Sequence, residues 1–196
     1  MKKVIPNDAV LIPDQAERAF KGMIFDVYQW PQKLFDGSEH RFEMLKRPDT
    51  VTAICVVEDK ILAINDEQPH LGARRSFPGG RVDPEDASVE AAIRREVAEE
   101  TGYSFRNWRL VKVWQPYRKM EWFIYVLLAW DVAGQQAAKL DAGEKITVQA
   151  LPFNELKALV INRVGYLGES APLFEPVEDL EQLLALPEFE GQTVDR

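Results

Sequence analysis

Residues 77–103, FPGGRVDPEDASVEAAIRREVAEETGY, join a glycine turn to a helix crowded with carboxylates. On a helix, Glu96 and Glu100 stand four residues apart and share a face, and Glu99 lies near the same edge. Three carboxylates this close repel one another and weaken the helix. A cation offsets that repulsion, and hard oxygen ligands suit Mg²⁺ or Mn²⁺. Arg95, four residues before Glu99, is placed to pair with it and orient it. Ahead of the helix, Gly79 and Gly80 follow Pro78, so no side chain keeps a backbone carbonyl from a metal or an amide from a phosphate. Asp86 and Ser88 are both candidate N-caps, and Gly102 is a helix stop.

At these residues the chain resembles the Nudix hydrolases. Their box is a glycine, five residues, a glutamate, seven residues, then Arg-Glu, an apolar residue, any residue, Glu-Glu, any residue, Gly and an apolar residue. Gly80, Arg95, Glu96, Val97, Glu99, Glu100, Gly102 and Tyr103 match it. Asp86 stands where the first glutamate belongs, and eight residues separate it from Arg95. The metal-binding half is untouched, so this reads as a cap variant. The resemblance implies an α/β/α sandwich with a mixed β-sheet and Mg²⁺ (or Mn²⁺) held by Gly80, Glu96, Glu99 and Glu100.

Composition agrees with a globular enzyme. Of 196 residues, 46% are hydrophobic and 29% charged, enough to bury a core. The net charge of −8 argues against a nucleic-acid polymer as partner but not against a small anion bridged by metal. Cys55 is the one cysteine, so no intrachain disulfide forms, and its apolar surroundings mark it as a core residue. No signal peptide is read at the start, and no apolar run is long enough to span a bilayer, so a cytoplasmic location without a membrane partner is expected.

Three regions are expected: a strand-rich extension over 1–47, the catalytic domain over 48–165, and a C-terminal loop and helix over 166–196. Residues 1–20 suggest no element. Met23–Trp30 and His40–Lys46 read as strands joined at Asp36-Gly37, a β-hairpin ahead of the main domain. Tyr28, Trp30 and Phe35 either cover this region's own core or meet a second subunit or a base. Thr50–Val57 and Ile61–Asn65 are strands, then Trp108–Trp114, Glu121–Val132 and Ile146–Leu151. A helix of eight or nine residues starts at Pro152–Asn154. Residues 166–176 read as loop, Val177–Leu186 as an amphipathic helix, and the final EFEGQTVDR as mobile. Arg74, Arg75 and Arg81 flank the glycine turn; each either holds a diphosphate or is simply exposed. His70 is either a substrate contact or a loop residue.

The extension and the later segment LDAGEKITVQALPFNEL look like the ADP-ribose and nucleotide-sugar pyrophosphatases. That resemblance implies a dimer through the extension and a water-activating carboxylate at Glu144, with Asp141 or Glu121 as alternatives. The substrate it implies is a nucleoside diphosphate linked to another moiety. FPGGRVDPEDAS, with its longer spacing, is instead similar to the coenzyme A pyrophosphatases, but of their upstream pattern only His70 and Gly72 remain. A nucleotide-sensing module without turnover is a further alternative, disfavoured by the intact Arg95, Glu96, Glu99 and Glu100. An enzyme clearing damaged nucleoside triphosphates is disfavoured by the extension.

Overall fold

The computed structural model describes residues 1–69, 72–140 and 142–195. The chain opens with β1 (Lys2–Ile5), β2 (Glu17–Lys21), β3 (Asp26–Lys33) and β4 (Glu39–Lys46). β3 and β4 form the expected hairpin, from Asp26↔Lys46 to Lys33↔Glu39, and Gly37 turns it at φ 87°. β2 adds to the free edge of β3. The alternation of β3 turns Trp30 inward onto Ile12 and Met44, a small separate core. Trp30 therefore belongs to its own region's packing, whereas Phe35, Met23 and Ile24 are exposed.

The main domain follows with β5 (Thr50–Val57), β6 (Lys60–Gln68), β7 (Gly72–Ser76), β8 (Gly79–Arg81), α1 (Val89–Thr101), β9 (Tyr103–Trp114), β10 (Met120–Glu121), β11 (Ile124–Gln135) and β12 (Lys145–Pro152). It closes with α2 (Phe153–Ile161), a 3-10 turn over Gly165–Ser170, α3 (Ala171–Phe174), α4 (Leu180–Leu184) and β13 (Gln192–Asp195). Among the described residues, the main sheet runs β12-β6-β5-β11-β9, with β7 on β6 and β8 on β5. It is mixed: β5 and β11 are parallel, and the pairs with β6, β8 and β9 are antiparallel.

β5 shows why the sheet is covered on both faces. Its nearly unbroken apolar run, TVTAICVV, sends Val51, Ala53 and Cys55 toward Ala92, Ile93 and Val97 of α1. Ile54 and Val56 point the other way, into a core with Leu156, Val160 and Phe174. The layers are thus helix, sheet, helix. Cys55 is fully buried, and burial pushes its thiol well up, as its core reading requires. None of the described helices is long and apolar enough to cross a membrane.

Four expectations change. The sequence suggests no element in residues 1–20 and a mobile tail, yet β1 and β13 pair antiparallel, Lys2↔Asp195 through Ile5↔Gln192. This pairing joins the two ends of the chain, which local periodicity cannot register. The expected strand Glu121–Val132 is split, because Met120 and Glu121 pair with β4 instead, and β11 starts at Ile124. Residues 166–176 are mostly helical turns rather than loop, packed through Leu167, Ala171 and Phe174. The helix expected over Val177–Leu186 is confined to Leu180–Leu184, capped by Asp179, whose side chain accepts from the Gln182 N–H at 2.8 Å.

Candidate active site

α1 is held at both ends. Ser88 is its N-cap, accepting from the Ala91 N–H at 3.0 Å, and Gly102 ends it in the left-handed conformation at φ 74°. The other candidate cap, Asp86, does different work. Both of its oxygens accept from Arg95, at 3.2 Å from Nε and 3.0 Å from Nη2. Arg95 holds the Asp86 carboxyl below its ordinary range, and Asp86 in turn is the largest cause raising Arg95 further. The residue standing where the box has a glutamate thus anchors the box arginine.

From that anchor Arg95 reaches the catalytic face. Its Nη1 donates to Glu96 at 2.9 Å and Glu99 at 3.1 Å, and its Nη2 to the Arg81 carbonyl at 3.0 Å. One guanidinium therefore fixes two carboxylates and the loop after the glycines. A lysine has one donor head and cannot span these four partners. Arg95→Lys is expected to lower metal affinity or activity by about 10–100-fold, read as a shift in the divalent-cation concentration that half-saturates turnover.

Glu100 is the deepest carboxylate, 6% exposed, and accepts from the Gly79 N–H at 2.7 Å. Burial, offset by that N–H and reinforced by Glu96, Glu144 and Asp66, pushes it up to about 9. Glu96 is raised as well, chiefly by burial. Gly80 is backed directly by Glu96: a Cβ there would sit 2.5 Å from its carboxylate. Gly79, at φ 152°, has no room either, its Cβ falling 2.1 Å from the Val51 carbonyl. The glycine pair is thus required by close approach to β5 and to the carboxylates.

Glu96, Glu99, Glu100 and Glu144 line one hollow of about 220 Å³ with Gly80 and Arg81. Carboxylates beside a glycine turn are the donor set of a hard divalent cation; Arg95 and Lys139 also line the hollow, and burial is the largest cause of the raised Glu100 and Glu96. Among the described residues, no three acidic, His or Cys side chains already converge as a metal-holding group. Glu96 and Glu99 are instead turned to Arg95, and must share it with any cation that binds.

The other candidates divide. Arg81 lines the hollow, its side chain bonded to Asp83 at 2.8 Å. Arg74 and Arg75 sit on β7, where Arg74 bonds and stacks on Tyr166 and Arg75 bonds Gln149. Glu144 reaches the hollow, whereas Glu121 is not among the described residues lining it. Glu121 is 2% exposed and accepts from Lys46 Nζ at 2.6 Å and the Ile12 N–H at 2.8 Å. Its partners tie the N-terminal segment to the domain. His70 and Asp141 lie outside the described residues.

A second cavity, of about 290 Å³, is lined by Gly79, the sequence neighbour of Gly80 in the first. Arg47, Asp66, Trp114, Trp122, Tyr166 and Glu169 are among its lining residues. Sequence reading missed it. No motif marks these residues, and they come from the end of the extension, β6, β9, the link between β10 and β11, and the 3-10 turn.

A Nudix box on an α/β/α sandwich, its carboxylates gathered beside a glycine turn, defines a class of enzyme. The NUDIX domain family model matches residues 46–167, and the chain belongs to that family. It is a pyrophosphohydrolase of that class. Its curated relatives include the ADP-ribose pyrophosphatase of Bacillus subtilis (strain 168), 25% identical over 175 residues, covering 86% of this chain and 93% of that protein. Among solved structures it is similar to an ADP compounds hydrolase, with TM-score 0.65, 19% identity, and coverage of 93% of this chain and 97% of that one. It is also similar to MutT, described from Aliivibrio salmonicida and Vibrio cholerae, with TM-score 0.50, 18% identity, and 71% and 98% coverage. At these identities the two structures speak to the fold.

Proposed function

We propose that the protein hydrolyses the pyrophosphate bond of ADP-ribose or a nucleotide sugar with the help of Mg²⁺ or Mn²⁺. The observation that carries this reading is the hollow shared by Glu96, Glu99, Glu100, Glu144, Gly80 and Arg81. The relation to an ADP-ribose pyrophosphatase over nearly the whole chain supports the substrate class.

Glu96, Glu99, Glu100 and the Gly80 carbonyl are the groups we assign to the cation. When bound, it supplies neutralisation of the diphosphate and stabilisation of charge growing on phosphorus. Arg81, which lines the hollow and is steadied by Asp83, contributes a guanidinium to the diphosphate; Arg74 and Arg75 are not among the described residues lining it. Glu144 takes the proton from the attacking water. Water oxygen bonds to one phosphorus, the P–O–P bridge breaks, and two phosphate-bearing products leave. Exposed Met23, Ile24 and Phe35 on the extension support a homodimer contact there.

The test is a panel of ADP-ribose, nucleotide sugars, coenzyme A, dinucleoside polyphosphates and deoxynucleoside triphosphates, with Mg²⁺ or Mn²⁺ and with chelator. Cation-dependent cleavage of ADP-ribose or a nucleotide sugar into two phosphate-bearing products is expected. Cleavage confined to coenzyme A, or binding without turnover, overturns the reading.

A further inference from the structure

The cavity beside Gly79 carries a chemical pattern of its own. Among the described residues, Asp66 Oδ1 and Arg47 Nε are buried without a hydrogen-bond partner, and both residues line this cavity. The other Asp66 oxygen accepts from Gln68 Nε2 at 2.9 Å, so its side chain is oriented while one acceptor stays open. A buried polar atom left unpaired is costly, and such atoms mark places where a partner arrives. Glu169 adds a second carboxylate to the lining. Lys112 Nζ donates to the Glu169 backbone carbonyl at 2.9 Å.

The walls are aromatic. Trp122 is fixed by its Nε1–H to Thr50 Oγ1 at 3.0 Å, and the Arg47 guanidinium lies 4.5 Å from its ring. Trp114 and Tyr166 complete the apolar surface. At about 290 Å³ the cavity is at the lower end of ligand sites, ~300–1,000 Å³, so it suits one ring of a substrate rather than a whole nucleotide.

Two carboxylates and a guanidinium around aromatic rings need a guest rich in hydroxyl donors that also accepts. A neutral sugar ring meets that demand, with donors for Asp66 and Glu169, an acceptor for Arg47 and C–H faces for the rings. A phosphorylated or carboxylated guest meets two negative charges in a partly dry site. We infer that Asp66, together with Glu169, is a specificity-determining residue that selects substrates whose second half is an uncharged polyol and rejects those whose second half is anionic. The inference rests on the proposed hydrolysis and goes beyond it by naming what this cavity reads.

The test compares kcat/KM for ADP-ribose and ADP-glucose with that for coenzyme A and a diadenosine polyphosphate, in wild type, Asp66→Asn and Glu169→Gln. Asp66 also raises Glu100, so its substitution can change turnover of every substrate alike. The ratio between substrate classes cancels that effect, and a merely structural role does not move it. The preference for the sugar substrates is expected to fall about tenfold or more in each variant, with the larger share in KM. Wild-type turnover of the sugar substrates with an unchanged ratio in both variants overturns the inference and leaves the proposed function standing. No wild-type turnover of ADP-ribose or ADP-glucose overturns both.

Discussion

Replacing Glu100 with glutamine is expected to lower turnover by about a thousandfold or more while the protein stays folded. The residue is 6% exposed and accepts from the Gly79 N–H at 2.7 Å, a bond that a glutamine oxygen can keep. Burial pushes the carboxyl up to about 9, toward its neutral form. Glutamine resembles that form in size and charge. What it cannot do is ionise when a cation arrives. The loss therefore falls on catalysis and not on packing. Steady-state rates across a Mg²⁺ titration, paired with thermal unfolding, separate the two. Near-normal turnover removes Glu100 from the site. A collapse of unfolding temperature shows instead that its role is structural.

The second large effect is at Glu121, and it is the reverse. Alanine there leaves the Ile12 N–H without its 2.8 Å acceptor and Lys46 without its 2.6 Å counter-charge. The Lys46 side chain is 35% exposed and can turn to water, so the buried N–H dominates the cost. The expected loss is about 2–3 kcal/mol, which in a chain of this size lowers the unfolding temperature by about 5–10 °C. Turnover of the molecules that remain folded is expected to change little. Glu144→Ala supplies the contrast: it lines the hollow, and its loss is expected to lower turnover by about 10²–10⁴-fold with the unfolding temperature nearly unchanged. Full activity in Glu144→Ala with an inactive but stable Glu121→Ala would return the base to Glu121.

The pair also shows where sequence reading reached its limit. Glu121 and Glu144 look alike in a sequence, both acidic and both beside a strand. They differ because Glu121 meets Ile12, 109 positions away, and that contact buries it. Local signals did better. The caps Ser88 and Gly102, the spacing of Glu96 and Glu100, the Asp36-Gly37 hairpin and the apolar run of β5 each depend on neighbours within a few residues, and each is found in the structure. The variant aspartate was legible as a departure but not as an anchor, since its bonds to Arg95 need the loop to fold back on the helix. The second cavity was invisible because distant segments meet there and none has a motif.

The clasp between β1 and β13 bears on how the chain is born. Ile5 is fully buried, and Lys3 holds Asp49 at 2.6 Å at the mouth of β5. Asp49 in turn accepts from the Phe123 N–H at 2.9 Å, and its carbonyl from the Val82 N–H at 2.9 Å, beside the catalytic loop. The strand that pairs with β1 is synthesised long after it, at residues 192–195. During translation the first strand waits, unpaired on that edge, until residues 192–195 leave the ribosome. The box helix and the sheet can form earlier, from contacts closer in sequence, and closing this long loop comes after them.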